Sequence, residues 1–291
     1  MDTRGAVSDL PAIQTKDVGF GVFGNHSTTD GPTPAYGQNM FKNQHVTFSS
    51  SSTEKKWEYK PVKYWPTAGH IDFLAYAPHD DKQVLNNNKY LDFKVNSDVT
   101  KQIDLLWDHT ENKTKASGKV NFTFKHALAR IGYSVKSKTD YDQTTITVKS
   151  IKLVGDLADE NIKAFYTKGT IDLSKDNNDA NELWTNTDGL KQNFDWFSGN
   201  QELSTEYKPD NYLFVIPQDF SSTVNNLYVV VEYTVTTGTS VITNTVSHEI
   251  TKDFKQGTAY MINLTIGLTP IEFEATVNSW GLDNNEDIDL N

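Results

Sequence analysis

The sequence predicts an all-β protein of two domains, and three observations carry that prediction. Its apolar residues fall in short runs that alternate with polar ones, the period of a strand with one buried face. Clusters of Gly, Pro and Asn separate the runs and mark turns. A length of 291 residues, 36% of them apolar and 12% aromatic, allows two β-sandwich domains with a core in each.

Taken in order, residues 1–19 are polar and aperiodic. GFGVFGN (19–25) spells G-x-G-x-x-G, yet a dinucleotide site needs a strand before it and a helix after it. Here polar QTKD precedes and turn-rich HSTTDGPTP follows, so a short strand with a tight turn is expected. Residues 25–45 read as a loop. WEYKPVKYWP (57–66) leads to IDFLAYAP (71–78), whose nearly unbroken apolar character suits a strand buried on both faces. Asn86 to Asn88 mark a turn, YLDFKV (90–95) alternates, and QIDLLWD (102–108) reads as one more strand.

ENKTKASGK (111–119) offers no core residue, so the domains are expected to divide into 1–115 and 116–291. Beyond it Val120, Phe122 and Phe124 alternate, while Ala127, Leu128 and Ile131 fit either a helix or a bulged strand. TTITVKSIKLVG (144–155), AFYTKGTIDL (164–173) and YLFVIPQ (212–218) read as strands, residues 174–193 as a loop, and 227–250 as a hairpin around Thr237 and Gly238. The tail holds two ladders. Tyr260, Ile262, Leu264, Ile266 and Leu268 form the first, and Ile271, Phe273, Ala275 and Val277 the second. Pro270 lies between them and removes a backbone donor. One strand suffices to close a domain, which leaves the second ladder surplus.

Charge and motifs exclude several functions. A net charge of −11 opposes binding to nucleic acid or anionic lipid. With no cysteine, disulfides and thiolate chemistry are ruled out. No apolar run approaches the roughly 18 residues of a membrane helix. None of the seven histidines has metal-site spacing; His70 with Asp72 and His79 with Asp81 are the same-face pairs, and His126 reads as a partly buried histidine. DNND (176–179) lacks the register of a calcium loop. No catalytic residue, metal or cofactor is therefore expected, and the chain is read as no enzyme. Trp184 and Trp196, in polar surroundings, are the candidates for stacking on a glycan.

Four stretches occurring in order, WEYKPVKYWP with IDFLAYAP, FKHALARI, YLFVIPQ, and GTAYMINLTIGL with IEFEATVNSW, resemble the fimbrillin family, the pilins of Bacteroidales type V pili. The likeness spans residues 57–282. It implies two tandem transthyretin-like β-sandwich domains, export as a lipoprotein, and a place in a fimbrium attached to the outer membrane. It also implies an Arg-specific protease that removes an N-terminal strand, for which Arg4 is the candidate site. The emptied groove, expected in the N-terminal domain, then accepts a donor strand from another pilin subunit. Residues 270–291 are the candidate donor, with Ile271, Phe273, Ala275, Val277, Trp280 and Leu282 as plugs. Burying such side chains at about 1.5–3 kcal/mol each amounts to roughly 10 kcal/mol gross, enough to survive the cost of association. The lipid-bearing cysteine of a precursor is absent, and a segment preceding MDTRGAV is expected to carry it. The alternative is a non-polymerising or tip adhesin that binds a host glycan or protein ligand and keeps the second ladder in its own domain.

Overall fold

The apolar run at 71–77 forms the His70–Ala77 strand, and every residue after His70 is buried, as a strand covered on both faces requires. In the computed structural model, which describes residues 9–29, 35–49, 56–175, 183–185, 189–206, 208–222, 225–268, 275–278 and 285–288, this strand lies inside a six-stranded sheet. The sheet order is Lys56–Glu58, Phe41–Ser49, Phe20–Ser27, His70–Ala77, Leu106–Lys113, Lys125–His126, with every neighbour antiparallel. The glycines of GFGVFGN are explained by packing. A side chain at Gly21 would lie 2.3 Å from the Tyr76 ring, and one at Gly24 2.8 Å from the Phe41 ring. They make room for aromatic rings rather than for phosphates.

Two expectations for this region are corrected. The loop expected over 25–45 stops short, because Phe41–Ser49 is a nine-residue strand. Its Lys42, Asn43 and Gln44 hide the period, although Phe41 and Val46 are buried. The strand expected at 102–108 begins later, at Leu106, and runs on through Lys113 into the polar stretch. The preceding Val99–Lys101 turn is capped by Asp98, whose side chain accepts the Thr100 N–H.

In the second half, two sheets face each other. One has four strands in the order Phe194–Glu202, Thr144–Val154, Tyr228–Thr237, Ser240–Glu249, and the other has three, Lys208–Val215, Ala129–Ser137, Ala259–Ile266. The Tyr133 and Trp196 rings meet between them at 4.8 Å. The first tail ladder forms Ala259–Ile266, with Tyr260, Ile262, Leu264 and Ile266 buried, and it pairs in parallel with Ala129–Ser137.

A further sheet joins the halves: Trp184–Thr185, Lys168–Asp172, Tyr90–Lys94, Leu85–Asn86. Its hairpin turns at Asn87 and Asn88, both in the left-handed region (φ 45° and 63°), and the Lys89 N–H closes the turn on the Asn86 carbonyl at 3.2 Å. Lys89 Nζ donates to the buried Asp172 carboxylate at 2.8 Å. The larger core accordingly draws Phe23, Tyr76 and Trp107 together with Ile131, Trp196 and Leu264.

In the tail, Ala275–Asn278 pairs with Asn285–Ile288 and lies alongside Ala259–Ile266. Ala275 and Val277 are in that strand; Ile271, Phe273, Trp280 and Leu282 fall outside the described residues, as does Arg4.

Candidate acceptor groove

Alternation along the six-stranded sheet sends successive side chains to opposite faces. One face carries Phe23, Leu74, Tyr76 and Trp107 into the larger core. The other carries Phe20, Val22, Phe41, Val46, Ile71 and Phe73, which form a separate, smaller core. Among the described residues no sheet covers this second face. It is roofed by short irregular pieces instead, and between them runs a groove of about 1010 Å³.

Three segments make the walls. Trp57, Tyr59 and Trp65 come from the WEYKPVKYWP stretch, Val120, Phe122 and Phe124 from the segment after the polar linker, and Leu10 and Ile13 from the Leu10–Ile13 helix. Asp9 caps that helix by accepting the Ala12 N–H, and Pro11 fits its first turn. On the floor the Phe20 ring meets Trp57 at 5.0 Å, Phe124 at 5.3 Å and Phe122 at 5.8 Å, all edge-on. Lys63 arches over the Phe41 ring at 5.1 Å and donates to the Met40 carbonyl. Nearby Val62 and Tyr64 stand exposed. The alternation of Val120, Phe122 and Phe124 is real, yet these residues form no ladder among the described residues. Their segment is tied by the Thr123 N–H donating to Asp108 at 2.6 Å, and burial raises the Asp108 pKa. Such a roof is held by side chains more than by backbone.

The polar candidates are structural. Asp72, fully buried, accepts the N–H groups of Asn112 (2.8 Å) and Ala35 (3.2 Å), with His70 Nε2 at 3.3 Å. His126 Nδ1 lies 2.9 Å from the buried Asp104. His79 is 3.7 Å from Asp81, and its ring stacks on His45 at 3.9 Å. Burial, and then the neighbouring His45, lower the His79 pKa. His45 Nε2 in turn donates to the Val18 carbonyl at 3.0 Å, fastening the N-terminal segment to the sheet. Burial also pushes the Tyr76 hydroxyl up to about 12, where it donates to Asn43. Among the described residues no group of three or more His, Asp or Glu is placed to hold a metal ion. No helix there is long and apolar enough to cross a membrane.

The glycan-stacking expectation for Trp184 and Trp196 is corrected. Trp196 is 1% exposed and Trp184 9%, and the Trp184 indole N–H donates to the Ala127 carbonyl at 2.7 Å. Each ring is a core filler beneath its polar neighbours and presents no face to a sugar.

Comparison with known proteins decides the family. Residues 3–280 match the model of the Fimbrillin-like family. The chain belongs to this family. Fimbrillin-like proteins are structural, non-catalytic proteins of the cell surface, and this chain is a member with an all-β, multi-sheet fold. Among solved structures, a Bacteroides uniformis chain assigned to cell adhesion is 18% identical, with a TM-score of 0.57, covering 98% of this chain and 99% of its own. A second, from Bacteroides ovatus, is 15% identical with a TM-score of 0.47, over 94% of this chain and 87% of its own. A third, from Bacteroides eggerthii, is 14% identical with a TM-score of 0.43, over 85% and 86%. No curated protein sequence matches.

Sequence reasoning did not name the groove residues Phe20, Phe41, Tyr59 and Trp65. A signal was present: IDFLAYAP is apolar on both faces, so something must cover each face. Only one of the two covers is a sheet.

Proposed function

We propose that this fimbrillin-like chain is a pilus subunit that polymerises by donor-strand exchange, its own groove being the acceptor and its tail the donor. The observation that carries the reading is the half-roofed apolar face, with about 1010 Å³ of open groove along strands that elsewhere are fully covered. A face of Phe, Val and Ile beside loosely tied aromatic walls suits an inserted strand that plugs alternate pockets. The second ladder supplies Ile271, Phe273, Ala275 and Val277 at the matching period, with Trp280 and Leu282 beyond. On this reading the chain comprises two transthyretin-like sandwiches, the expected division into 1–115 and 116–291 being shifted by the segment 120–126, which walls and closes the first sheet, and the strand-pairing at Tyr90–Lys94 is what couples them. Export as a lipoprotein and trimming by an Arg-specific protease at Arg4 complete the cycle, and the adhesion assigned to the Bacteroides relatives is the role of the polymer.

The test is assembly after Arg-specific proteolysis of a longer precursor, beside a truncation ending at Thr269, followed by size exclusion and electron microscopy. Cleavage near Arg4 is expected to yield SDS-resistant ladders, and the truncation to abolish them. A cleaved intact chain that never multimerises, or a truncation that unfolds, would assign the tail to its own domain.

A further inference from the structure

Sheet edges recruit other chains unless they are short, charged, bulged or interrupted by proline. Most edges in this chain carry such protection. Lys56–Glu58 has three residues, two of them charged, and Lys125–His126, Leu85–Asn86 and Trp184–Thr185 have two each. Lys208–Val215 contains Pro209, and Phe194–Glu202 has two register breaks against its neighbour. Ala259–Ile266, also an uncharged edge of eight residues, is flanked by Ala275–Asn278. The Ser240–Glu249 strand differs. It is ten residues long, pairs with Tyr228–Thr237 without a break, and has no charged residue from Ser240 to Ser247. No strand lies beyond it among the described residues, and Val241 and Ile242 are 62% and 58% exposed.

We infer that the free edge of Ser240–Glu249 is a contact between two copies of this chain, joined antiparallel about a two-fold axis at Asn244. Charge argues for a second copy. On a chain of net charge −11, close approach of two copies is least opposed where neither carries charge, and this strand is such a place. Register supports it as well. Thr237 faces Ser240 across the two-residue Gly238-Thr239 turn, so Ser240 bonds inward and the outward backbone groups belong to Val241, Thr243, Thr245 and Ser247. A two-fold axis at Asn244 sets Thr243 against Thr245 and Val241 against Ser247 as bonded pairs. It sets Ile242 against Val246 as a close non-bonded pair, carrying the apolar inner face of the sheet across the joint. Glu249 falls opposite Thr239, away from any charge. The contact is lateral and uses neither groove nor tail, so it stands apart from strand donation.

The absence of native cysteine makes the test clean. In a non-bonded antiparallel pair the Cα atoms lie about 4.5 Å apart, within disulfide reach. Asn244→Cys is expected to form a disulfide dimer at least about tenfold faster than Asn200→Cys, which sits on the opposite edge of the same sheet. By sedimentation, the unmodified chain is expected to dimerise with concentration. Thr245→Lys and Thr243→Pro, which alter the outward edge alone, are expected to weaken that dimer about tenfold while leaving the melting temperature within a few degrees. Equal rates at the two cysteine positions, or a chain monomeric at every concentration, would overturn the inference. So would association that persists in Thr245→Lys but vanishes on truncation at Thr269, which would assign self-association to the tail.

Discussion

The two faces of the six-stranded sheet are made by the same strands, and they end in different states. Trp107 and Tyr76 on one face are 0% and 2% exposed, packed against the second half of the chain. Phe20, Phe41 and Phe73 on the other are nearly as buried, yet the residues that cover them, Trp57, Tyr59, Trp65, Phe122 and Phe124, are only half-buried and leave an open groove. The strand pattern is equal on both sides. What differs is the cover: hydrogen-bonded sheet on one face, and on the other segments that lie down by side-chain contact. A cover of the second kind can be displaced at low cost, as an acceptor of strands requires.

The comparison breaks first at the closed face. Trp107→Ala is expected to lose about 3–5 kcal/mol by chemical denaturation, since it empties a fully enclosed site. Trp196→Ala, buried against Tyr133, belongs to the same class, and its loss of stability would also confirm its role as filler rather than sugar platform. A loss below about 1 kcal/mol for either would show that the closed core is looser than its burial states.

The Lys89–Asp172 pair, which ties the joining sheet, comes next. Asp172→Asn is expected to cost about 2 kcal/mol, because it removes the charge of a buried carboxylate that accepts hydrogen bonds from Lys89 and Ser174. Burial raises the Asp172 pKa, but Lys89 and Ser174 outweigh it and the net shift is downward. A depressed folded value means stability that is present above the unfolded value and lost as pH falls through the folded one. Asp172→Asn should therefore flatten the fall in stability below about pH 4, its deficit against the parent chain shrinking as pH drops, the other carboxylates being unchanged. His79 acts at milder pH. Its folded value is lowered, so the unfolded chain binds more protons once pH drops below 6.5, and stability declines from there. His79→Gln is expected to flatten that slope between pH 6.5 and 5 in a melting-temperature series.

The smallest effect belongs to the roof of the groove. Phe122→Ala is expected to cost under about 1.5 kcal/mol, since the ring is half-buried and its segment lacks a ladder. A cost near that of Trp107→Ala would mean that both faces are closed.

The sequence revealed this fold unevenly, for physical reasons. The ladder from Tyr260 to Ile266 and the run from Ile71 to Ala77 announce themselves because burial there follows the strand period. Phe41–Ser49 does not, because its polar residues interrupt the period near a sheet edge. Trp184 and Trp196 misled because local polarity says nothing of a tertiary neighbour: Ala127 and Tyr133 lie 57 and 63 positions away from them. The His45–His79 stack was equally invisible, being made by a strand and by the loop that follows another strand, which meet only in three dimensions. The family likeness raised the expectation of a groove in the N-terminal domain, whereas the residues that line the one seen here needed the sheet order, which no periodicity supplies.

The most direct test of the central claim uses two cysteine variants in this cysteine-free chain, Val22→Cys on the groove floor and Ala275→Cys in the tail. The variants are mixed after processing at Arg4 and oxidised, and a chain carrying both is examined alone at high dilution. The account predicts disulfides between chains in the mixture, extending into ladders for the double variant as concentration rises. A disulfide formed only within single chains, or none in either arm, would contradict it.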